Sequence, residues 1–129
     1  MTSHALNKPS LCSMLTGLVK HVTRYELPEP ASVGWYHRER RFDIQVSLAD
    51  QIGQLLAWVH SMPEVDLRIR RLSNNTIHLT VDGRLLDGSP VQLYTSAPGP
   101  LAAKYAATLA DHREIPVTLA ELRTAAAAS

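Results

Sequence analysis

The chain reads as an α+β protein. Its expected core is a four-stranded, largely antiparallel sheet, in the order strand, helix, three-strand meander, with helices packed on one face. Three observations predict it. In 41–48 the apolar residues Phe42, Ile44, Val46 and Leu48 fall at every second position, the period of a strand that buries one side. From 49 to 61 the period changes to three and four, with Ile52, Leu55, Leu56 and Val59 lining one side of a helix. Three further alternating runs then follow, separated by turn residues.

Taken in chain order, residues 1–24 form an N-terminal amphipathic helix whose apolar stripe is Leu11, Met14, Leu15, Leu18, Val19 and Val22. Pro9 suits its first turn, where a missing amide hydrogen breaks no helical bond. The stripe has two readings: packing onto the chain's own sheet, or a dimerisation or partner helix formed by Leu11, Met14, Leu15, Leu18 and Val22. Residues 25–40 read as a connector, because Pro28 and Pro30 fix their own backbone angles and push their predecessors toward extended geometry. Trp35 and Tyr36 close it as an extension of the first strand.

Residues 41–129 make up the α+β domain. Ser47 is placed to cap the helix that follows, Asp50 to favour its positive end, and Pro63 lies beyond its far end. In the meander, Val65, Leu67 and Ile69 alternate with Asp66, Arg68 and Arg70. Ile77, Leu79 and Val81 then alternate with Thr76, His78, Thr80 and Asp82, and Val91 and Leu93 with Gln92 and Tyr94. Ser73-Asn74-Asn75 and Asp87-Gly88 supply the turns, the latter as a two-residue hairpin. Arg71-Leu72 breaks the alternation, which implies a bulge or a strand end. A second helix is expected over 101–112, with Leu101, Tyr105 and Leu109 on one side. Thr118 and Glu121 have capping-box spacing and Val117 with Leu122 that of a hydrophobic staple, so a last helix begins at Leu119 and frays from Ala125.

Composition bounds the function. A chain of 129 residues with 45% hydrophobic and 19% charged residues fits one domain with its own core. A net charge of +1 gives no global attraction to nucleic acid or anionic lipid. One cysteine, Cys12, forms no internal disulfide, and there is no apolar run near the roughly 20 residues that cross a bilayer. A cytoplasmic protein without a membrane partner is the expectation, and the excess of arginine over lysine, ten to three, is the usage of a high-GC bacterial genome.

No catalytic, metal-binding or phosphate-cradling signature stands out, and no cofactor is implied. The histidines His4, His21, His37, His60, His78 and His112 show no metal-ligand spacing. Cys12 reads as a packing residue, Asp87-Gly88 as a turn, and Asn74-Asn75-Thr76 as a glycosylation pattern met by accident. The helix from Ala49, the three strands and the helix from Leu101 also give the order of a double-stranded-RNA-binding module, but the second helix offers only Lys104 where several cations would grip phosphates.

Two basic clusters, one around Arg38, Arg40 and Arg41 and one of Arg68, Arg70 and Arg71, are expected to merge with Arg84 on the outer sheet face, beside His78 and Tyr94. Glu39, Asp43, Asp66 and Asp82 interleave there and offer ion pairs instead. The leading expectation is a non-catalytic binding or adaptor domain that acts through protein contacts and self-associates as a homodimer, because the helical segments exceed what one small sheet face covers. Nucleic-acid binding through the arginine patch is the alternative. A small-molecule pocket between helix and sheet, lined by Trp58, Met62 and Tyr105, is a third.

Overall fold

The structure is a computed structural model that describes residues 10–46, 51–72, 76–97, 99–110 and 112–127. Four helices and one mixed sheet of six strands are seen among them: α1 (Leu11–Tyr25), β1 (Ser32–Tyr36), β2 (Arg41–Gln45), α2 (Gln51–His60), β3 (Asp66–Arg71), β4 (Ile77–Arg84), β5 (Pro90–Ser96), α3 (Gly99–Thr108), β6 (Glu114–Pro116) and α4 (Leu119–Ala127). The spatial order is β1-β2-β5-β4-β3-β6. The class is therefore the expected one, while the four-stranded sheet is corrected to six strands. The two additions sit at the margins.

The first addition is β1, which lies inside the stretch read as a connector. It pairs antiparallel with β2, Val33 opposite Ile44 and Trp35 opposite Phe42. As a margin strand it exposes most of its residues, so its sequence carries little alternation. The second, β6, is three residues long and pairs Ile115 with Ile69. A run that short has no period to read.

The parallel pairing of β2 with β5 was also not expected. Phe42 stands opposite Val91 and Ile44 opposite Leu93, so the meander enters the sheet by its last strand rather than its first. Within the strands the register keeps the alternation on the side assigned to it: Phe42, Ile44, Leu67, Ile69, Ile77, Leu79, Val81, Val91 and Leu93 are all buried beneath the helices, as is Val46 just after β2, whereas Val65, assigned to the same side, precedes β3 and is half-buried. Ile52, Leu55, Trp58 and Val59 of α2 cover them, with Leu101 and Tyr105 of α3 and Leu122 of α4 completing the core.

Local chemistry sets the ends of the elements. Ser10 caps α1 by accepting the Ser13 amide at 3.1 Å, and the helix ends in a left-handed residue, Glu26, at φ 50. Pro9 precedes that cap and lies outside the described residues, as do Leu48, the Ser47 cap with Asp50, and the Ser73-Asn74-Asn75 turn. The β4–β5 hairpin closes through a three-residue loop rather than two. The Leu85 amide reaches the Ser89 carbonyl at 2.9 Å and Gly88 takes φ 89, a backbone that glycine adopts without strain. α3 spans fewer residues than expected, and α4 begins at Leu119 as expected but stays helical to Ala127.

Candidate functional site

All four helices pack on the apolar side, so the polar sheet face is open, and the strand register decides which arginines meet on it. Arg41 donates from Nε to Asp43 Oδ1 at 2.8 Å, and that bond, ahead of more distant carboxylates, holds its pKa above the ordinary value. Arg68 is held by Asp66 at 2.7 Å and by Glu114 of β6 at 3.0 Å, which likewise raises its pKa. Arg84 donates to the Gly88 carbonyl at 2.9 Å. Arg40 occupies a left-handed turn position with its guanidinium 5.8 Å from the Trp35 ring centre, and Arg38 is exposed in the same turn.

The expected single patch is divided. Arg71 leaves the face altogether: its guanidinium donates to the Leu109 carbonyl at 2.7 Å, at the end of α3. Arg70 stands beside His78, which is six residues from Arg84 along β4, a separation of about 20 Å at roughly 3.3 Å per residue. Asp82, opposite Asp66, lies between. Arg41 and Arg84 do share a groove of about 650 Å³ at the strand ends, but Glu39, Glu64, Asp66 and Asp82 line it with them. Of the arginines in β2 to β5, Arg70 and Arg84 have no ion-pair partner among the described residues. His78 is half-buried, and burial, with the Arg70 charge second, pushes its pKa below the ordinary value. Tyr94 lies in mid-face, opposite Thr80 and beside Gln45.

A second feature is apolar. The α1 stripe splits in two: Met14, Leu18 and the intervening Gly17 are buried, and Val22 packs at the margin of the core. Leu11, Leu15 and Val19, at intervals of four, are 38%, 42% and 63% exposed and form one ridge along the outer side of the helix. Among the described residues, Tyr25, Val33, Tyr36 and Leu86 are the other large apolar residues exposed to a similar degree. Cys12 is exposed, not a packing residue.

The third feature was not found from the sequence, although Met14, Leu18 and His21 share helical spacing. His21 is 1% exposed, with Nε2 at 2.8 Å from Ser61 Oγ, and its Nδ1 accepts the Leu86 amide at 2.9 Å. An Nδ1 that accepts leaves the ring proton on Nε2, so the imidazole donates to Ser61, and Ser61 donates in turn to the Trp58 carbonyl at 2.6 Å. A histidine that activates a serine must accept the hydroxyl proton. This pair has the opposite polarity and is arranged to hold, not to attack.

Trp58, Met62 and Tyr105, the residues considered for a pocket, are all buried core, and other residues line the cavities of about 650, 360 and 430 Å³. Among the described residues no group of three or more His, Cys, Asp or Glu is placed to hold a metal ion, and no helix is long and apolar enough to cross a membrane. No family model, curated protein or solved structure matches this chain.

Proposed function

We propose that this chain is a non-catalytic protein-binding domain that self-associates through the outer ridge of α1. The observation that carries the reading is the exposure of Leu11, Leu15 and Val19 on a helix whose opposite side is already docked. Apolar side chains in a row at intervals of four gain nothing from water, and a two-fold axis across such a ridge sets each apolar residue against its like. Leu86, whose amide meets His21 of α1 from the β4–β5 turn, is 56% exposed as well. Arginines held by Asp43, Asp66 and Glu114 favour this reading over phosphate binding.

The test is the mass in solution at high micromolar concentration, by light scattering coupled to size exclusion. The expected result is twice the 14.2 kDa of one chain, falling to a single chain in the double variant Leu15→Glu, Val19→Glu. Both positions are exposed, so the fold should tolerate the change. A wild-type mass of one chain across the concentration range overturns self-association.

A further inference from the structure

We propose that His21 is a proton-operated catch, which holds α1 against the end of α2 and the β4–β5 turn while its imidazole is neutral and releases them when it takes up a proton. The catch works in a single chain and does not depend on self-association.

Every hydrogen in it has one place. The Leu86 amide points at Nδ1 at 2.9 Å, the Nε2 proton points at Ser61 Oγ at 2.8 Å, and the Ser61 proton points at the Trp58 carbonyl at 2.6 Å. Three separate elements are thereby joined through one ring. An imidazolium has no lone pair, so protonation at Nδ1 sets an N–H against the Leu86 N–H, donor against donor. The bond is lost, a charge is left at a site 1% exposed, and the Leu86 amide loses its acceptor. Water can satisfy both groups only if α1 moves away from the turn.

The neighbours on each side decide how readily this happens. On α1 the Tyr25 ring lies 4.8 Å from the imidazole, centre to centre, and Arg24 stacks on that ring at 5.8 Å. On α2 the Trp58 ring lies 6.2 Å away at 17°, while His60 is engaged with Arg123 of α4. On the turn, the Asp87 carboxylate is the one opposite charge; it favours the protonated ring, but burial outweighs it and the pKa of His21 lies below the ordinary value. The same carboxylate sits against Gly17, one helical turn earlier, where an added Cβ would come within 2.0 Å of Oδ2. The turn thus meets α1 at two points, Gly17 on Asp87 and His21 on Leu86. Only the second can be undone by a proton in the physiological range.

The experiment follows the intact chain from about pH 8 to about pH 5, a span centred on the ordinary histidine pKa. Proton and nitrogen NMR of the His21 ring should show the Nε2–H tautomer at the upper end and a titration midpoint below about 6.5. Protection of the Leu86 amide against hydrogen exchange, corrected for the intrinsic pH dependence, should fall by up to tenfold per pH unit through the window in which only the released form takes up the proton. In a Trp35→Phe background the emission of Trp58 should change with the same midpoint. Asp87→Asn, which keeps an oxygen for the Ser89 amide, should move the midpoint lower still. His21→Gln should abolish the emission change; should that variant not fold, the wild-type tautomer and exchange measurements decide alone. An Nδ1–H tautomer, a midpoint at or above about 6.5, or constant Leu86 protection overturns the proposal.

Discussion

Thr95 follows Val91 and Leu93 on the inner side of β5, 1% exposed, and its hydroxyl has no hydrogen-bond partner among the described residues. A buried hydroxyl without a partner costs free energy that a methyl group does not. Thr95→Val should therefore raise stability by about 1 kcal/mol, read as a higher urea midpoint at unchanged slope. A fall of similar size would mean that the hydroxyl is satisfied after all. The alternation of β5 was readable because side-chain direction along a strand is a local property. Arg71 shows the limit of that reading: the break it makes in the pattern is visible, whereas its cause, a bond at 2.7 Å to the Leu109 carbonyl, depends on a helix end 38 residues away. His21 was missed for the same reason, since its partners Ser61 and Leu86 are 40 and 65 residues distant.

Between α3 and α4 the polar contacts converge on Glu121. Its amide donates to Thr118 Oγ1 at 3.1 Å, as the capping-box spacing predicts, and its carboxylate accepts from the Tyr105 hydroxyl and from Lys104 Nζ at 3.0 Å. The Tyr105 bond is the main reason the Glu121 carboxyl lies below its ordinary pKa, while burial, then Glu121 itself, pushes the Tyr105 phenol up to about 12. The signs give a window. A raised phenol pKa means the bond contributes fully below the unfolded value of about 10 and is lost as pH climbs toward 12. A lowered carboxyl pKa means the contribution is present above about 4.3 and lost as pH falls through the folded value. Tyr105→Phe should thus cost about 1 kcal/mol near neutrality, with the gap in melting temperature closing at both extremes. Absorbance of tyrosinate should show one of the four tyrosines ionising near 12, a step missing in the variant. Helices with caps and staples announce themselves in this way. The margin strands do not, because β1 exposes most of its residues and β6 is three residues long.

Alternation tells which side of a sheet a residue occupies and nothing about which strand lies next to it. The inner and outer sides could therefore be read from residues such as Ile69 and Arg68, whereas the parallel seat of β5 beside β2 could not. That seat determines the electrostatics of the open face. With β5 between β2 and β4, Arg41 is brought to Arg84 at one end of the sheet, among four carboxylates, while Arg70 stands at the other end beside a half-buried histidine whose pKa burial lowers. Phosphate binding on this face would have to break the pairs of Arg41 with Asp43 and of Arg68 with Asp66 and Glu114, and would approach Asp82 as it did so. Of the arginines on the strands, Arg70 and Arg84 are the two that could contribute without that cost among the described residues, and one rigid duplex contact has to span them both. The logarithm of the affinity for duplex DNA should accordingly fall against the logarithm of salt with a slope no steeper than about −2, at about −0.9 per phosphate neutralised. Arg70→Ala should remove about one unit of that slope, and Asp66→Asn, which frees Arg68 on one side, should add to it. A wild-type slope of about −4 or steeper would mean that the paired arginines open to meet phosphates, and the open face, rather than the ridge on α1, would then be the binding surface.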